Sequence, residues 1–309
     1  MQTTTLTNHH GVTITTMTQG ATWINWQKPT ALDKQNLILT SDPAVYHHDS
    51  SHHGHSIGPT GGRVPLTFQL AGQTVQLPDT GDGYNMHGGP DGFDTVDWEV
   101  VVGSDTVTYT HDFPTMIKPG ILSVTIQYQL TADDAVIITY TGISDTPTLF
   151  NPTSHVYFNL GKTNNVADHQ LQINAHQRIA TATNKFPEAQ NLPVANTGYD
   201  LRAMTPLATV FDALQSIPER GLDDIYLLDN TQPAAILRND TTQIAIATDR
   251  NALVAYTANN WDDHLALIGK TSGDHIGVAL EPQYDPRELD AYTLVPGIAA
   301  TYQTTYQLD

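Results

Sequence analysis

The chain has 309 residues, enough for one large β domain or for two domains of average size. Its 13 basic residues stand against 32 acidic ones, for a formal charge of -19, and no block of lysine or arginine occurs, so the chain lacks the basic surface with which proteins bind nucleic acid. The same charge mildly repels anionic substrates unless a local basic pocket opposes it. The absence of cysteine excludes disulfides, thiolate metal sites and thiol nucleophiles.

Hydropathy points to a protein that does not enter a membrane. Residues 1–21 have neither the charged segment nor the apolar segment of a signal peptide, and no run of about 18 apolar residues occurs elsewhere. We therefore expect a soluble, cytoplasmic protein with no membrane partner. No Pro/Ser-rich linker, shift in composition or repeat divides the chain, so we expect a single domain over residues 1–309.

The first conspicuous motif is the histidine-rich stretch YHHDSSHHGHS at residues 46–56. A zinc site needs three or four ligands held on rigid elements, whereas this stretch is serine-rich and has no alternating pattern. We expect a solvated loop without a metal site, and little loss of activity when His52 or His53 is replaced. The stretch holds five of the 14 histidines: His47, His48, His52, His53 and His55.

Residues 68–100 predict a hairpin and then a glycine-rich turn. FQLAGQTVQL (68–77) reads as two short strands around Ala71-Gly72. In NMHGGPDGFDTVDWEV (85–100), His87 precedes two glycines whose backbone can turn sharply or let a ligand approach, because it has no Cβ. His87 is thus a candidate functional residue, the alternative being a histidine that caps a turn.

The middle of the chain predicts half-buried strands. VTIQYQL (124–130) and VIITY (136–140) alternate apolar and polar residues. In NPTSHVYFNLG (151–161), His155 shares the polar and aromatic face of a strand with Tyr157, while the alternate residues are apolar. His155 is either functional or a buried histidine bonded to a backbone carbonyl.

The last third of the chain adds two carboxylate motifs. ERGLDDIYLLD (219–229) places Asp223 and Asp224 at the start of an apolar strand, and VALEPQYDPREL (278–289) places Glu281 at the expected end of a strand, before Pro282. LQINA, TQIAIAT and ALVAY predict further strands, whereas helical periodicity is confined to FDALQSI at 211–217.

These elements predict an all-β protein, an antiparallel β-sandwich rather than a parallel sheet wrapped by helices. Two histidines, a glutamate and an aspartate, with no serine triad or phosphate loop, suit acid–base chemistry on a neutral, polyhydroxylated substrate.

The motifs also resemble, in order along nearly the whole chain, those of the aldose 1-epimerases, also called galactose mutarotases. MHGGPDGFD (86–94) is similar to the family's Leu-His-Gly-Gly followed by Gly-Phe-Asp, and NPTSHVYFNLG to its Asn-x-Thr-x-His-x-Tyr-Phe-Asn-Leu. LEPQ (280–283) is similar to the Leu-Glu-Thr-Gln that carries the family's catalytic glutamate. Shorter matches are QGATW (19–23), NLILTSDPAVY (36–46), GPTGGRV (58–64), GLDDIYLL (221–228) and YTAN (256–259).

The resemblance implies a large twisted antiparallel β-sandwich of the galactose mutarotase type, with the sugar cleft on the concave face of one sheet. It implies an isomerase that interconverts the α and β anomers of a neutral hexose, galactose or glucose, without a cofactor. It implies Glu281 as general base, His155 as general acid and His87 assisting at the reacting end of the sugar, with Arg63 and Asp223 binding ring hydroxyls.

Three positions depart from the family pattern: Tyr84 stands where Asn is usual, Asp224 where His is common and Pro282 where Thr is usual. We expect the changes at Asp224 and Pro282 to affect the rim of the cleft and substrate preference rather than the proton-transfer pair.

Mutarotation removes a proton from the C1 hydroxyl and gives one to the ring oxygen, so the hemiacetal opens, rotates about C1–C2 and closes on its other face. We expect a carboxylate and an imidazolium on opposite edges of the pyranose, with ordinary pKa values of about 4.3 and 6.5. Asp223 and the negative charge of the chain would favour His155 in its charged form. Trp98 and Trp261 are candidates for stacking on the sugar.

Two other functions stay open at this point. A hexose-6-phosphate 1-epimerase would need two or three arginines around the phosphate. A catalytically silent sugar-binding protein would have lost Glu281 or His155, and both are present. The preferred sugar, which includes a disaccharide such as maltose, and the choice between monomer and homodimer are not decided by the sequence.

Overall fold

The computed structural model describes residues 1–31, 33–48, 51–261 and 266–309, except for the side chains of His47 and His48. Within these residues the chain forms mostly strands, which confirms the all-β class. The strands of the two largest sheets pair antiparallel throughout.

The largest sheet among the described residues has nine strands and contains their longest ladders. Its strand Ile121–Leu130 buries every second side chain and leaves the others half-buried or exposed, which confirms the alternation predicted for residues 124–130. In spatial order the nine strands are Glu99–Val102, Thr106–Pro114, Ile121–Leu130, Ala135–Ser144, Ala300–Leu308, Gln243–Thr248, Ala235–Arg238, Gln170–Ile173 and Thr205–Pro206.

A six-stranded sheet carries most of the residues discussed below. In spatial order its strands are Tyr157–Phe158, Val278–Gln283, Ala252–Tyr256, Asp223–Leu227, Gln177–Thr181 and Pro187–Pro193. A four-stranded sheet is formed by Thr3–Thr7, Thr13–Met17, Thr22–Pro29 and Lys34–Asn36. The two-stranded pairs are Thr148–Leu149 with Thr293–Leu294, Thr153–Ser154 with Ser56–Ile57, Arg63–Pro65 with Tyr84–Met86, and Thr67–Leu70 with Gln73–Gln76.

The three larger sheets bury their inner faces against one another in a shared core. Trp23 from the four-stranded sheet packs against Tyr128 of the nine-stranded sheet, with ring centroids 6.4 Å apart. Phe158 of the six-stranded sheet packs against Tyr306 at 5.6 Å. Each large side chain buried in this way contributes about 1.5–3 kcal/mol of hydrophobic stabilisation. The packing of sheet on sheet confirms the sandwich.

The structure confirms the predicted hairpin but shifts the predicted helix. Ala71 and Gly72 have φ of 48° and 78°, so they form the predicted turn between Thr67–Leu70 and Gln73–Gln76. The helix, predicted at 211–217, instead spans Leu207–Leu214. It begins earlier because the apolar side chains that it buries start at Leu207.

The remaining helical elements of the described residues are short 3₁₀ turns. They are Pro43–His48, Gly89–Asp91, Phe93–Thr95 and Leu289–Tyr292. In the described part of the chain, no helix has the length and apolar character needed to cross a membrane.

Candidate active site

All five residues predicted from the motifs lie on one cavity of about 260 Å³. The cavity opens on one face of the six-stranded sheet and is closed by turns from outside that sheet. Residues far apart in the sequence are therefore brought together by the sheet and its flanking turns. They are Arg63, His87, His155, Asp223 and Glu281.

Glu281 lies within a strand, so the expectation that the strand ends there is wrong. Val278–Gln283 continues through Pro282, and Glu281 pairs with Val254 on the neighbouring strand. On its other edge, this strand pairs with Tyr157–Phe158, but only through Val278 and Ala279. Among the described strands, Pro282 therefore has no ladder partner on that edge, so the N–H that proline lacks is not needed there. The strand fixes the direction of the Glu281 carboxyl into the cavity.

Burial raises the pKa of the Glu281 carboxyl to about 8, and the negative charge of Asp223 adds to this effect while Arg63 opposes it. Only 2% of Glu281 is exposed. The expectation of an ordinary pKa near 4.3 is therefore wrong. The carboxyl therefore holds its proton over much of the neutral range, which lowers the fraction of molecules that carry the free base.

His155 lies between the strands Thr153–Ser154 and Tyr157–Phe158, and its Nε2 is 3.4 Å from Oε1 of Glu281. Phe158 points into the core while His155 and Tyr157 line the cavity, as the alternation of the sequence predicts. The expectation of an acid and a base on opposite edges of the sugar is wrong, because the two groups meet at one point of the wall.

His87 occupies the glycine-rich turn in a left-handed conformation with φ of 56°. Gly88 follows at φ 84°, and a Cβ there would lie 2.2 Å from the carbonyl oxygen of Gly58, so only glycine fits. The N–H of Gly62 donates to Nδ1 of His87 at 3.3 Å, and the N–H of His87 donates to the carbonyl of Gly62 at 3.0 Å. His87 therefore stabilises a turn and lines the cavity at once.

The imidazole of His87 is a neutral hydrogen-bond donor toward the cavity. Burial lowers its pKa well below the usual value, and Arg63, together with His52 and His155 whenever these rings are protonated, lowers it further. Because Nδ1 accepts the Gly62 hydrogen bond, the proton of the neutral ring lies on Nε2.

Arg63 and Asp223 form an ion pair in the lining of the cavity, with Nη2 of Arg63 3.5 Å from Oδ2 of Asp223. The guanidinium of Arg63 lies over the ring of Tyr84, 5.5 Å from its centroid. Tyr84, one of the departures from the family pattern, thus supports the arginine. The pair offers both donors and acceptors for hydroxyl groups.

The other two departures do not reach the cavity, so the expectation that they alter its rim is wrong. Asp224 is buried and its Oδ1 lies 2.9 Å from Nη1 of Arg178, while burial raises the pKa of Asp224 to about 6 against the opposing charge of Arg178. Pro282 packs near Arg250 instead. Successive residues of a strand point to opposite faces, so the neighbours of Asp223 and Glu281 point away from the cavity.

The two tryptophans have different roles. Trp261 lines the cavity and packs edge-on against Tyr157, with centroids 5.1 Å apart. Trp98 is a core residue packed against Phe93 at 5.3 Å and Phe113 at 5.4 Å. Only Trp261 is therefore placed to contact a sugar.

The histidine-rich stretch is not a solvated loop within its described part, and that expectation is wrong. His53 is fully buried and stacks on Tyr46 at 4.3 Å, and His55 is 2% exposed. The side chains of His47 and His48 and residues 49–50 lie outside the described residues. Within the described residues, no group of three or more His, Asp or Glu side chains is arranged to hold a metal ion.

The sequence reasoning missed several lining residues, among them Gln283 and His52. Gln283 follows Glu281 by two positions on the same strand face, a spacing that could have identified it. His52 lines the cavity although nothing in its neighbourhood in the sequence has strand periodicity, so no local signal pointed to it.

A larger groove of about 1,270 Å³ lies elsewhere and contains none of the five predicted residues. Four lysines line it, yet Lys28 already donates to the carbonyl of Thr241 at 3.1 Å, and Lys270 to the carbonyl of Gly161 at 2.9 Å. The pair of an acid and a base belongs to the smaller cavity.

Comparisons with known proteins agree on one family. Residues 2–305 match the family model described as Aldose 1-epimerase. The chain is 32% identical to the maltose epimerase of Levilactobacillus brevis over 294 residues, which is 91% of this chain and 85% of that protein. It is 30% identical to the aldose 1-epimerase of Escherichia coli K12 over 296 residues, 91% of this chain and 86% of that protein.

A solved structure gives the same result. The galactose 1-epimerase from Lactobacillus acidophilus NCFM matches with a TM-score of 0.87 and 26% identity, covering 99% of this chain and 93% of that one.

Proposed function

The chain belongs to the aldose 1-epimerase family, and from that premise we propose that it interconverts the α and β anomers of galactose or glucose by acid–base opening and closing of the pyranose ring. It is an isomerase, as its named relatives are. The proposal concerns the sugar and the roles of the residues.

Glu281 and His155 form the proton-transfer pair. The observation that carries this assignment is the 3.4 Å between Nε2 of His155 and Oε1 of Glu281 inside a buried cavity. The C1 hydroxyl and the ring oxygen are bonded to the same carbon, so groups that meet at one point can serve both atoms. A general acid or base placed in this way contributes about 10²- to 10⁴-fold in rate.

The protons balance over the cycle. The Glu281 carboxylate takes the proton of the C1 hydroxyl while protonated His155 gives its proton to the ring oxygen, and the C1–O5 bond breaks to leave the open-chain aldehyde. After rotation about C1–C2, the C5 hydroxyl attacks the other face of the carbonyl. His155 then takes the proton of that hydroxyl and Glu281 returns its proton to the carbonyl oxygen.

The other lining residues hold the sugar in place. Neutral His87 donates Nε2–H at the reacting end, where the oxygen of the opening ring gains negative charge. Arg63 and Asp223 bind ring hydroxyls as donor and acceptor.

A neutral sugar suits the cavity better than a phosphosugar. Arg63 is the one arginine or lysine among its described lining residues, and three carboxyl groups line it as well: Glu219, Asp223 and Glu281. Phosphate recognition favours several convergent arginines, and the formal charge of -19 opposes a dianion.

The similarity to a maltose epimerase makes a disaccharide the second candidate substrate. The cavity volume of about 260 Å³ favours one sugar ring, because it lies just below the range of about 300–1,000 Å³ usual for small-molecule sites. Comparing maltose with glucose separates the two candidates.

The test is polarimetry on freshly dissolved α-D-galactose, α-D-glucose and maltose, with the unmodified chain, the Glu281→Gln variant and buffer. We expect the unmodified chain to speed the approach to equilibrium for the monosaccharides and the variant to match buffer. Acceleration confined to maltose would transfer the proposal to disaccharides. Equal rates for the chain and its variant would remove Glu281 as the base.

Location and assembly stay predictions. We expect a cytoplasmic protein, monomeric or homodimeric, that needs no cofactor and has no nucleic-acid or membrane partner. Size-exclusion chromatography with light scattering measures the oligomeric state directly.

A further inference from the structure

The segment around His52 is built into the wall of the cavity. The N–H of Trp23 donates to the carbonyl of Gly54 at 2.7 Å, and the N–H of His155 donates to the carbonyl of His55 at 2.9 Å. Main-chain hydrogen bonds thus hold the segment against the strand region of the proposed general acid. These main-chain hydrogen bonds fix the position of His52.

A carboxylate orients the ring of His52. Nδ1 of His52 lies 2.8 Å from Oδ2 of Asp94. An ionised carboxylate can only accept a hydrogen bond, so Nδ1 carries a proton. Asp94 is 13% exposed and His52 25%, and the His52 backbone has φ of 54°, a conformation that a residue with a Cβ adopts only when its surroundings hold it there.

The same ring faces the reacting end of the site. Its centroid lies 4.9 Å from that of His87 and 6.1 Å from that of His155, and the side chain lines the cavity. With Nδ1 bound to Asp94, Nε2 on the other side of the ring has no hydrogen-bond partner among the described residues. It is the nitrogen left for a ligand.

We propose that His52 is a further substrate-binding residue, whose Nε2 accepts a hydrogen bond from the sugar hydroxyl at C2 or C6, with Asp94 as its positioning residue. This inference rests on the proposed function, which puts C1 and the ring oxygen at Glu281 and His155. C2 is bonded to C1, and C6 is carried by the carbon on the other side of the ring oxygen. An acceptor here complements the donors Arg63 and His87.

The proposal predicts the opposite of the expectation that replacing His52 does little. We expect His52→Ala to lower kcat/KM for galactose by about 3- to 30-fold, the effect of losing one or two hydrogen bonds to a substrate hydroxyl. Asp94→Ala should act in the same direction, and the double variant should lose little more than His52→Ala alone, because both changes remove one contact.

The decisive measurement is polarimetry with galactose, 2-deoxygalactose and 6-deoxygalactose, using the unmodified chain, His52→Ala and the near-isosteric His52→Gln. The matched control is His10→Ala, since His10 forms a similar pair with Asp134 at 3.0 Å but does not line the cavity. We expect the effect of His52→Ala to disappear for the one deoxy sugar that lacks the partner hydroxyl, and His10→Ala to act normally on all three.

The outcomes separate this inference from the proposed function. If the unmodified chain accelerates galactose mutarotation and His52→Ala matches it, the role of His52 is overturned and the proposed function stands. An equal loss on all three sugars would also overturn it, because a merely structural role acts uniformly. If the unmodified chain is inactive on every sugar, the proposed function and this inference fall together. Where His52→Ala does not fold, His52→Gln carries the same comparison.

Discussion

Glu281 meets two opposing demands at the scale of a single residue. A general base must be deprotonated, yet burial and the charge of Asp223 raise its pKa to about 8. Once ionised, a base of high pKa takes the substrate proton more readily, but a smaller fraction of the base is ionised at a given pH. A pKa near the working pH balances these two effects and favours catalysis. The position of Arg63 on the same wall limits the rise.

The proton-transfer pair should act as one unit. We expect Glu281→Gln and His155→Asn each to lower kcat by about 10²- to 10⁴-fold and the double variant to be about as slow as the slower single variant, because the two proton transfers belong to the same ring-opening step and the loss of either one blocks that step. Polarimetric kcat values test this, with circular dichroism to show an intact fold. The control is His176→Asn, whose side chain is 69% exposed. Additive losses in the double variant would show independent roles.

The pKa of Glu281 should be visible in the pH dependence of the rate. Because the base works only when deprotonated, we expect the limb of the kcat/KM profile on which Glu281 loses its proton to rise with pH, with a midpoint of about 8. Asp223→Asn removes a charge that raises this pKa, so its midpoint should move to lower pH even though sugar binding is weaker. The exposed Asp133→Asn is the control. A midpoint that stays fixed in Asp223→Asn would contradict the assigned cause.

At the scale of elements, the site is made by short turns docked on a sheet. The strand Val278–Gln283 aims Glu281 into the cavity, while His87 depends on a turn whose backbone packs against Gly58. Strands tolerate many side chains that keep the alternation of faces, whereas this turn requires a residue without a Cβ at position 88.

A pair of glycines tests the turn. Gly83 and Gly88 have nearly equal φ, 85° and 84°, but a Cβ at Gly83 meets no atom within 4 Å, whereas one at Gly88 lies 2.2 Å from a carbonyl oxygen. Gly83→Ala should lower the free energy of unfolding by about 1–2 kcal/mol, because alanine is strained in the left-handed conformation. Gly88→Ala should cost clearly more in urea unfolding and lower kcat, because the turn that carries His87 must shift. Equal effects of the two changes would contradict the steric argument.

At the scale of the whole molecule, the site lowers the stability of the fold at the pH at which Glu281 is ionised and can act as a base. A buried carboxyl whose folded pKa is raised from 4.5 to about 8 binds more protons in the folded than in the unfolded chain between those values. Its contribution to stability is therefore complete below pH 4.5 and is lost as the pH rises through 8. Burial also raises the pKa of Asp224, from 3.8 to about 6, so the stability that this carboxyl contributes is lost over a lower range of pH.

Replacing the base should stabilise the fold at alkaline pH. Gln does not ionise, so we expect Glu281→Gln to gain stability relative to the unmodified chain as the pH rises from 5 to 9, by roughly a few kcal/mol. Urea unfolding at several pH values measures the difference, and Glu99→Gln, at an exposed position, is the control. A difference that does not change with pH would show that the carboxyl is not perturbed.

Much of the fold was predictable because its signals are local. The alternation in Ile121–Leu130 and the Ala71-Gly72 turn arise from neighbouring residues alone. The bounds of the helix Leu207–Leu214 and the continuation of the strand through Pro282 were misjudged, since both depend on which surfaces the rest of the chain covers. That the chain is a single domain stays a prediction.

The sequence by itself determined the strand periodicity and the all-β class and, through motifs that resemble one family, pointed to five of the residues that line the cavity. Only the tertiary structure decided the pKa of Glu281, its 3.4 Å approach to His155 and the inclusion of His52 in the wall. Periodicity is a property of adjacent residues, whereas burial, charge proximity and ligand-facing nitrogens depend on residues that meet only when distant strands and turns pack together.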